Sequence, residues 1–198
     1  YAPWQEVQLL DGLADRVLDG SISEIGVSNI GPKRLAWMQQ RLAERGVPLR
    51  SVQVQYSLLS PGDAKVDALR QLCRERGIEV LAYSPLAFGV LTMPPDGERR
   101  PRTVLQRQLL ARLQPASRSL RAVVAAIACQ RSVSMAQVAL NWCRAQGTTP
   151  IPGLRTPEQA RDVAGALQWS LTSAELDQLT VARQQCTVRT PSNPFQSA

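Results

Sequence analysis

The chain has 198 residues, of which 44% are hydrophobic and 20% charged, and these values are typical of a globular domain with its own core. Its formal net charge is +7, and the excess is nearly all arginine, because Lys33 and Lys65 are the only lysines. The sequence contains no histidine. It therefore excludes a serine–histidine triad, a histidine-bound metal and the most common general base.

The charges and cysteines indicate an ordinary surface and core. The arginines are scattered over predicted helices, apart from a cluster in Gly97 to Arg102, and no RNA-binding aromatic motif or zinc-finger spacing accompanies them. We therefore expect no nucleic-acid partner. No apolar run is long enough to span a bilayer, so we expect no membrane partner either. Cys73 and Cys143 fall on apolar helical stripes, which favours core cysteines in a reducing compartment.

Helical and strand periodicities alternate through the first half of the chain. The predicted elements are a helix ending at Gly20, a strand over Ser23–Asn29, a helix from Pro32 to Gly46, a strand with its exit loop over Ser51–Ser60, a helix ending at Gly77, and a strand with its exit loop over Ile78–Ala87.

The second half begins with an insertion, at about Phe88–Ser119, that is polar and proline-rich at its start. We predict a surface loop with one small helix there. The alternation then resumes with a helix ending at Gly147, a strand over Thr149–Gly153, a helix with the apolar stripe Ala160, Val163, Ala164 and Leu167, and a last helix capped by Thr172 or Ser173.

This alternation, with strands that are nearly continuous apolar runs, predicts a parallel α/β sheet. No Gly-x-Gly-x-x-Gly follows a strand, which argues against the usual dinucleotide-binding fold. Polar residues and a glycine turn stand instead at successive strand ends, as in a (β/α)8 TIM barrel: Ser28-Asn29, Gln55-Tyr56, Tyr83-Ser84 and Gly153. Only about four strand–helix units are present, so we expect residues 1–198 to form one domain that is half of a barrel.

Five motifs carry a resemblance to a known family, and each is weak alone. In chain order they are "GVSN" from Gly26, "VQYSLL" from Val54, "AYSPLAFGVLT" from Ala82, "QVALNW" from Gln137 and "IPGLRTPEQARDVAGAL" from Ile151. Together they resemble the second half of the aldo-keto reductases, most of all the plant and cyanobacterial branch. The resemblance implies about strands 5–8 of a barrel that binds NADP and reduces an aldehyde or ketone.

The resemblance also implies which residues hold the cofactor. Ser28, Asn29 and Gln55 would bind the nicotinamide carboxamide, Tyr83 would stack on the ring, Ser84, Leu86 and Gly89 would follow the pyrophosphate, Gly153, Leu154 and Arg155 would surround the adenosine ribose and its 2′-phosphate, and Gln159 and Asp162 would reach toward the adenine. The chemistry agrees, because amide and hydroxyl side chains satisfy a carboxamide and a helix N-terminus with an arginine suits a phosphate. Taken singly, each residue could equally be a helix cap, a surface charge or a core residue.

Three departures from the family pattern limit these expectations. The family's catalytic Asp, Tyr, Lys and His come from the first half of the barrel, so we assign no catalytic residue and expect the chain alone to be inactive. Val163 replaces an asparagine that contacts adenine in many members, and Met93-Pro94 replace Gly-Lys after the "GVLT" motif.

Two functions remain open from the sequence. The first is the cofactor-binding part of an NADP-dependent reductase of a small carbonyl compound, and the second is a non-catalytic nucleotide-binding or interaction module formed by a half barrel. A start upstream of Tyr1 is expected, so targeting cannot be predicted beyond a cytoplasmic or plastid-stromal location. The oligomeric state and the particular substrate are not predicted.

Overall fold

A computed structural model of the protein describes residues 5–61, 64–97 and 103–191. Apart from Gly97, the predicted arginine cluster lies outside these residues, as does Tyr1. The described residues alternate between helices and strands, which confirms the α/β class predicted from the sequence. The strands are β1 (Ile25–Ser28), β2 (Leu49–Gln55), β3 (Glu79–Tyr83) and β4 (Thr149–Ile151).

The helices match most of the predicted stripes. They are α1 (Glu6–Leu18), α2 (Pro32–Ala43), α3 (Ala64–Arg76), α4 (Val104–Ala116), α5 (Arg118–Arg131), α6 (Met135–Ala145), α7 (Pro157–Ala164) and α8 (Ser173–Gln185). Two short 3₁₀ helices, Ala87–Thr92 and Gly165–Gln168, complete the described elements. Thr172, rather than Ser173, is the cap of the last helix.

The four strands form one sheet in the order β1-β2-β3-β4. β1 and β2 run parallel, with Val27 opposite Val52. Gly26 allows this pairing, because a Cβ at that position would lie 2.4 Å from the Ser51 Oγ. The order of the strands in the sheet is the same as their order along the chain, as expected for successive strand–helix units.

The chain divides into two compact units, and β2 and β3 pass from one to the other. The first unit includes residues 5–54 and 64–81. Its core contains Leu35, Leu42 and Val52, each with no exposed surface. In this unit α1 and α2 are joined by ion pairs, for example Arg41 with Asp11 at 2.7 Å.

The second unit includes residues 55–61, 82–97 and 103–191. Leu91, Leu113, Leu120 and Leu179 are fully buried in its core. Cys143 is buried here and Cys73 is buried in the first unit, which agrees with their prediction as core residues. Burial raises the pKa of the Cys73 thiol to about 11, so this thiol stays protonated and inert.

The structure contains one helix more than the sequence analysis predicted. Helix α4 corresponds to the small helix expected in the insertion, whereas α5, which begins at the end of the insertion and continues beyond it, was not predicted. Arg121 of α5 is 2% exposed, and its guanidinium donates to the carbonyl oxygens of Pro94 and, at 2.8 Å, Gln114. Burial and the neighbouring Arg118 lower the pKa of Arg121, and the carbonyl contacts fasten the Pro94 segment to α5.

In the ranges that the structure describes, no single helix is long and apolar enough to cross a membrane. The pair α5 and α6 meets the length and composition limits only when joined, with a bend of 102° between the two helices.

Candidate functional site

The second unit contains a cavity of about 740 Å³ beside the start of α7. Its wall is built from the loop after β3, the first turn of α6, the loop after β4 and the first turns of α7. Eight of the twelve residues expected to bind cofactor line it: Ser84, Leu86, Gly89, Gly153, Leu154, Arg155, Gln159 and Asp162. Val163 also lines the wall and adds an apolar surface.

The loop after β3 follows a strained path along this wall. Ser84, Ala87 and Phe88 adopt positive φ angles of 53°, 48° and 59°, and Gly89 follows at 84°. Residues other than glycine avoid this region because of their Cβ, at a cost of about 1–3 kcal/mol each when they are held there. Such strain concentrates at functional sites, where surrounding structure maintains it.

The start of α7 is ordered by its own side chains. Thr156 is the N-cap, and its hydroxyl accepts a hydrogen bond from the Gln159 N–H at 3.3 Å. The Gln159 side-chain oxygen accepts in turn from the Arg155 N–H at 2.9 Å. Arg155 is thus held by its backbone at the positive end of the helix dipole.

Arg155 and Arg161 differ in how their charges are compensated. No hydrogen bond or ion pair with another described residue engages the Arg155 guanidinium, and this residue is exposed on the cavity wall. Arg161 instead lies 3.4 Å from the Glu158 carboxylate, and it does not line the cavity. Arg155 is therefore the arginine placed to meet an anion in the cavity.

Asp162 is held from behind by a residue that the sequence analysis did not single out. Its Oδ1 accepts a hydrogen bond from the Gln137 Nε2 at 2.9 Å, and the Gln137 Oε1 accepts from the Trp169 Nε1 at 3.0 Å. Gln137 opens the "QVALNW" motif, but its contacts join positions 25 and 32 residues apart, so the motif alone does not indicate them.

Four predicted residues do not line the cavity. Tyr83 is half-buried at the end of β3, where its carbonyl oxygen accepts from the Tyr56 N–H at 3.2 Å. Gln55 is buried, and its Nε2 donates to the Thr190 Oγ1 at 3.1 Å. A ligand carboxamide would have to share or replace that hydrogen bond.

Ser28 and Asn29 belong to the first unit and lie at the end of β1. The Asn29 Nδ2 donates to the Ser28 Oγ at 3.0 Å, and the Ser28 Oγ donates to the Gln53 carbonyl oxygen at 3.2 Å. Asn29 has a φ of 57°, a conformation that asparagine tolerates better than most residues. The Asn29 N–H also donates to the Gln53 carbonyl oxygen at 2.9 Å, so the pair is fastened to β2 within the first unit.

The cavity wall is suited to binding rather than to acid–base chemistry. Among the described residues that line it, Arg155 and Asp162 are the charged side chains, so the wall offers one cation and one carboxylate. The described residues contain no group of three or more Cys, Asp and Glu side chains able to hold a metal ion.

Comparison with known proteins defines the class to which this fold and cavity belong. The profile of the aldo/keto reductase family matches residues 3–183. The chain therefore belongs to the aldo/keto reductase family, as the sequence motifs predicted.

Among its relatives is the chloroplastic pyridoxal reductase of Arabidopsis thaliana, which is 41% identical over 200 aligned positions that cover 100% of this chain and 53% of that protein. An uncharacterized oxidoreductase of Mycobacterium bovis is 33% identical and is covered to the same 53%, with 88% of this chain aligned. The chain thus spans about half the length of the curated relatives it matches.

Solved structures show the same fold relationship. A thermostable aldo-keto reductase crystallised with the inhibitor epalrestat superposes with a TM-score of 0.66 at 22% identity, covering 89% of this chain and 54% of that one. The aldose reductase of Schistosoma japonicum gives a TM-score of 0.63 at 17% identity, with 94% and 49% covered.

Proposed function

We propose that this chain forms the NADP-binding part of an oxidoreductase that reduces an aldehyde or ketone with NADPH. The observation that carries the proposal is the cavity of the second unit, where Arg155 stands at the capped start of α7 opposite the strained loop Ser84–Gly89. Family membership supports the oxidoreductase class, and the cavity supports the choice of cofactor.

The preference for NADP over NAD rests on one charge. The 2′-phosphate of NADP is the group that NAD lacks, and a phosphate is favoured at a helix N-terminus. Arg155 adds a guanidinium that can donate two parallel hydrogen bonds to a phosphate. Asp162 and Gln159 lie on the same wall, and they would face the adenosine part of the ligand.

The substrate is proposed at the level of its class. The name of the Arabidopsis relative gives pyridoxal, an aldehyde, as one candidate carbonyl compound for the whole protein. A cytoplasmic or plastid location is part of the same proposal, and the chloroplastic relative supports the second of these locations.

We further propose that the described sheet is half of a (β/α)8 barrel and that the family's catalytic residues lie on the other half. β1 and β4 are the two edges of the described sheet. The helices nearest these edges in the chain expose apolar side chains, since Leu18 of α1 is 61% exposed and Leu167, just after α7, is 70% exposed. Four further strand–helix units would cover such surfaces. Because the catalytic residues would lie on those units, the chain alone would be inactive.

A non-catalytic nucleotide-binding or interaction module formed by a half barrel remains the alternative. The sequence of the complete reading frame distinguishes the two functions. Asp, Tyr, Lys and His at strand ends upstream of Tyr1 would support the reductase, whereas a frame without them would leave the module.

The experiment that tests the cofactor proposal compares Arg155→Ala with Arg161→Ala. Fluorescence titrations of each protein with NADPH and NADH, made with the complete reading frame, give four dissociation constants beside the wild-type pair. Loss of a charge-assisted hydrogen bond costs about 1.5–3 kcal/mol, which corresponds to about tenfold to a hundredfold in affinity. We expect Arg155→Ala to weaken the binding of NADPH by this factor and to leave the affinity for NADH unchanged.

Arg161→Ala is the matched control, because Arg161 is on the same helix but pairs with Glu158. It should change neither affinity by more than about twofold, a difference of less than 0.5 kcal/mol. Equal weakening of both cofactors by Arg155→Ala, or no weakening of either, would contradict the assignment of Arg155 to the 2′-phosphate.

A further inference from the structure

The Gln137 side-chain amide is fixed in one orientation by its two partners. The Trp169 indole N–H can only donate, so the Gln137 atom that it contacts at 3.0 Å must be the carbonyl oxygen. The amide NH₂ then faces Asp162, where it donates to the Oδ1 at 2.9 Å. The indole therefore determines which end of the amide meets the carboxylate.

The rest of the surroundings also hold Gln137 in place. Its backbone N–H donates to the Ser134 side chain, the N-cap of α6, at 3.2 Å. Gly165 adjoins the amide, because a Cβ at that position would lie 2.8 Å from the Gln137 Nε2 and 3.1 Å from its Oε1. Any larger residue at position 165 would push against the amide, so the glycine provides the space in which the amide lies.

Asp162 receives this hydrogen bond on one oxygen. Oδ1 accepts from Gln137, whereas Oδ2 makes no hydrogen bond or ion pair with any other residue in the described ranges. Asp162 lines the cavity, but Gln137 does not, although its neighbour Ala136 does. The Gln137 side chain therefore reaches the cavity wall through its hydrogen bond to Asp162.

We infer that Gln137 is a positioning residue for ligand binding, which holds the Asp162 carboxylate on the cavity wall so that Oδ2 accepts a hydrogen bond from the adenosine part of the ligand. This inference rests on the proposed function, because that function supplies the adenosine. Trp169 orients the amide and Gly165 gives it room, so three residues outside the cavity wall set the position of one residue in it.

A double-mutant cycle tests the inference with adenosine 2′,5′-bisphosphate as the probe, titrated by calorimetry into the protein made from its complete reading frame. The variants are Gln137→Leu, Asp162→Ala and the double variant, with Gln168→Leu as the control, because Gln168 is exposed and lies near the same helix. Gln137→Leu and Asp162→Ala should each lower the affinity for the probe about tenfold, as expected for the loss of one charge-assisted hydrogen bond. The control should leave this affinity unchanged. The double variant should bind no more weakly than Asp162→Ala.

Two milder variants guard against a loss of fold. Gly165→Ala removes no hydrogen-bonding group, and position 165 has an ordinary helical φ of −57° that alanine adopts without strain. Trp169→Phe keeps an aromatic ring and loses only the indole N–H. Both variants should lower the affinity for the probe severalfold, while their unfolding midpoints stay close to that of the wild type.

The outcomes separate this inference from the function on which it rests. Wild-type protein that fails to bind the probe overturns the proposed cofactor site itself. Wild-type binding that Gln137→Leu leaves unchanged overturns the positioning role alone. Additive effects of Gln137→Leu and Asp162→Ala would also overturn it, because Gln137 would then act independently of Asp162.

Discussion

Helices α6 and α7 have the same kind of N-terminal cap but differ in how far they are buried. Both start behind a hydroxyl side chain that accepts a hydrogen bond from the N–H three residues on, Ser134 from Gln137 and Thr156 from Gln159. Seven of the eleven residues of α6 are buried, whereas none of the eight residues of α7 is. The capped start of α7 therefore serves the cavity wall, while α6 is the core element behind it.

The contrast shows what helical periodicity can and cannot predict. The spacing of Ala160, Val163, Ala164 and Leu167 correctly indicates one helical surface. The structure leaves Ala160 and Ala164 exposed, Val163 half-buried, and Leu167 70% exposed. Sequence spacing defines which residues share a face, but only the neighbouring elements determine whether that face is covered.

The largest effect should come from the core helix. Trp142 of α6 is 3% exposed and stacks on Tyr56, with ring centroids 5.4 Å apart. Trp142→Ala should lower the free energy of unfolding by about 3–5 kcal/mol, because it removes a large buried ring and leaves a cavity. Urea denaturation followed by circular dichroism measures the loss.

Trp37→Ala is the matched control for that substitution, since Trp37 is 40% exposed on α2. Trp37→Ala should lower the free energy of unfolding clearly less than Trp142→Ala does. Similar losses for the two variants would show that Trp142 does not have the buried environment that distinguishes α6 from α7.

How far the sequence could be interpreted depends on whether a feature is local. The strand positions and most helices were predictable, because their periodicity and their glycine ends lie within short segments. Helix α5 was missed although its buried apolar residues recur at helical spacing, namely Leu120, Val124, Ile127 and Ala128, so that signal was present in the sequence. The burial of Arg121 was not predictable, because its partners are carbonyl oxygens seven or more residues away. No pattern of apolar residues identifies an arginine as buried.

The site shows the same division. Eight residues predicted from motifs line the cavity, but their side-chain partners were not predicted. Gln55 donates to Thr190, 135 positions along the chain, and Asp162 accepts from Gln137, 25 positions away. Such pairs depend on tertiary packing, so a single sequence contains no local signal for them.

An intermediate effect, dependent on pH, should separate a buried helix start from the exposed start of α7. At the third position of α8, Glu175 is 8% exposed and accepts from the Arg131 guanidinium at 2.7 Å on each oxygen. Its carboxylate also completes a capping box with Thr172. Hydrogen bonding from Arg131, opposed by burial and helped by Thr172, lowers the pKa of Glu175 from 4.5 to about 2.

Because the folded pKa lies below the unfolded value, the stabilisation by Glu175 is complete above pH 4.5 and is lost as the pH falls toward about 2. At neutral pH, Glu175→Gln should lower the free energy of unfolding by about 2 kcal/mol, as expected for a charge-assisted hydrogen-bonded pair. Denaturation between pH 7 and pH 2 should show a shallower acid loss for this variant than for the wild type.

Glu158→Gln is the control for this pH dependence, because Glu158 lies in the first turn of α7 and its side chain is 73% exposed. Hydrogen bonds from its own backbone N–H and from Thr156 also lower the pKa of Glu158, but solvent screens this exposed carboxylate, so Glu158→Gln should change the acid profile clearly less than Glu175→Gln does. A variant Glu175→Gln with an unchanged profile would show that the ion pair with Arg131 contributes nothing to acid stability.

The smallest effect is expected at the exposed apolar residue that follows α7, and it bears on the proposed half barrel. In the 198-residue chain, Leu167→Ala should change the free energy of unfolding by no more than about 0.5 kcal/mol, because Leu167 already contacts solvent. Leu140→Ala in α6, where the leucine is 3% exposed, should cost about 2–5 kcal/mol in the same assay. In the protein made from the complete reading frame, further strand–helix units would cover Leu167. The free energy of unfolding lost through Leu167→Ala should then approach that lost through Leu140→Ala. A loss that stays within about 0.5 kcal/mol in both proteins would identify the stripe as ordinary surface and would contradict the half barrel.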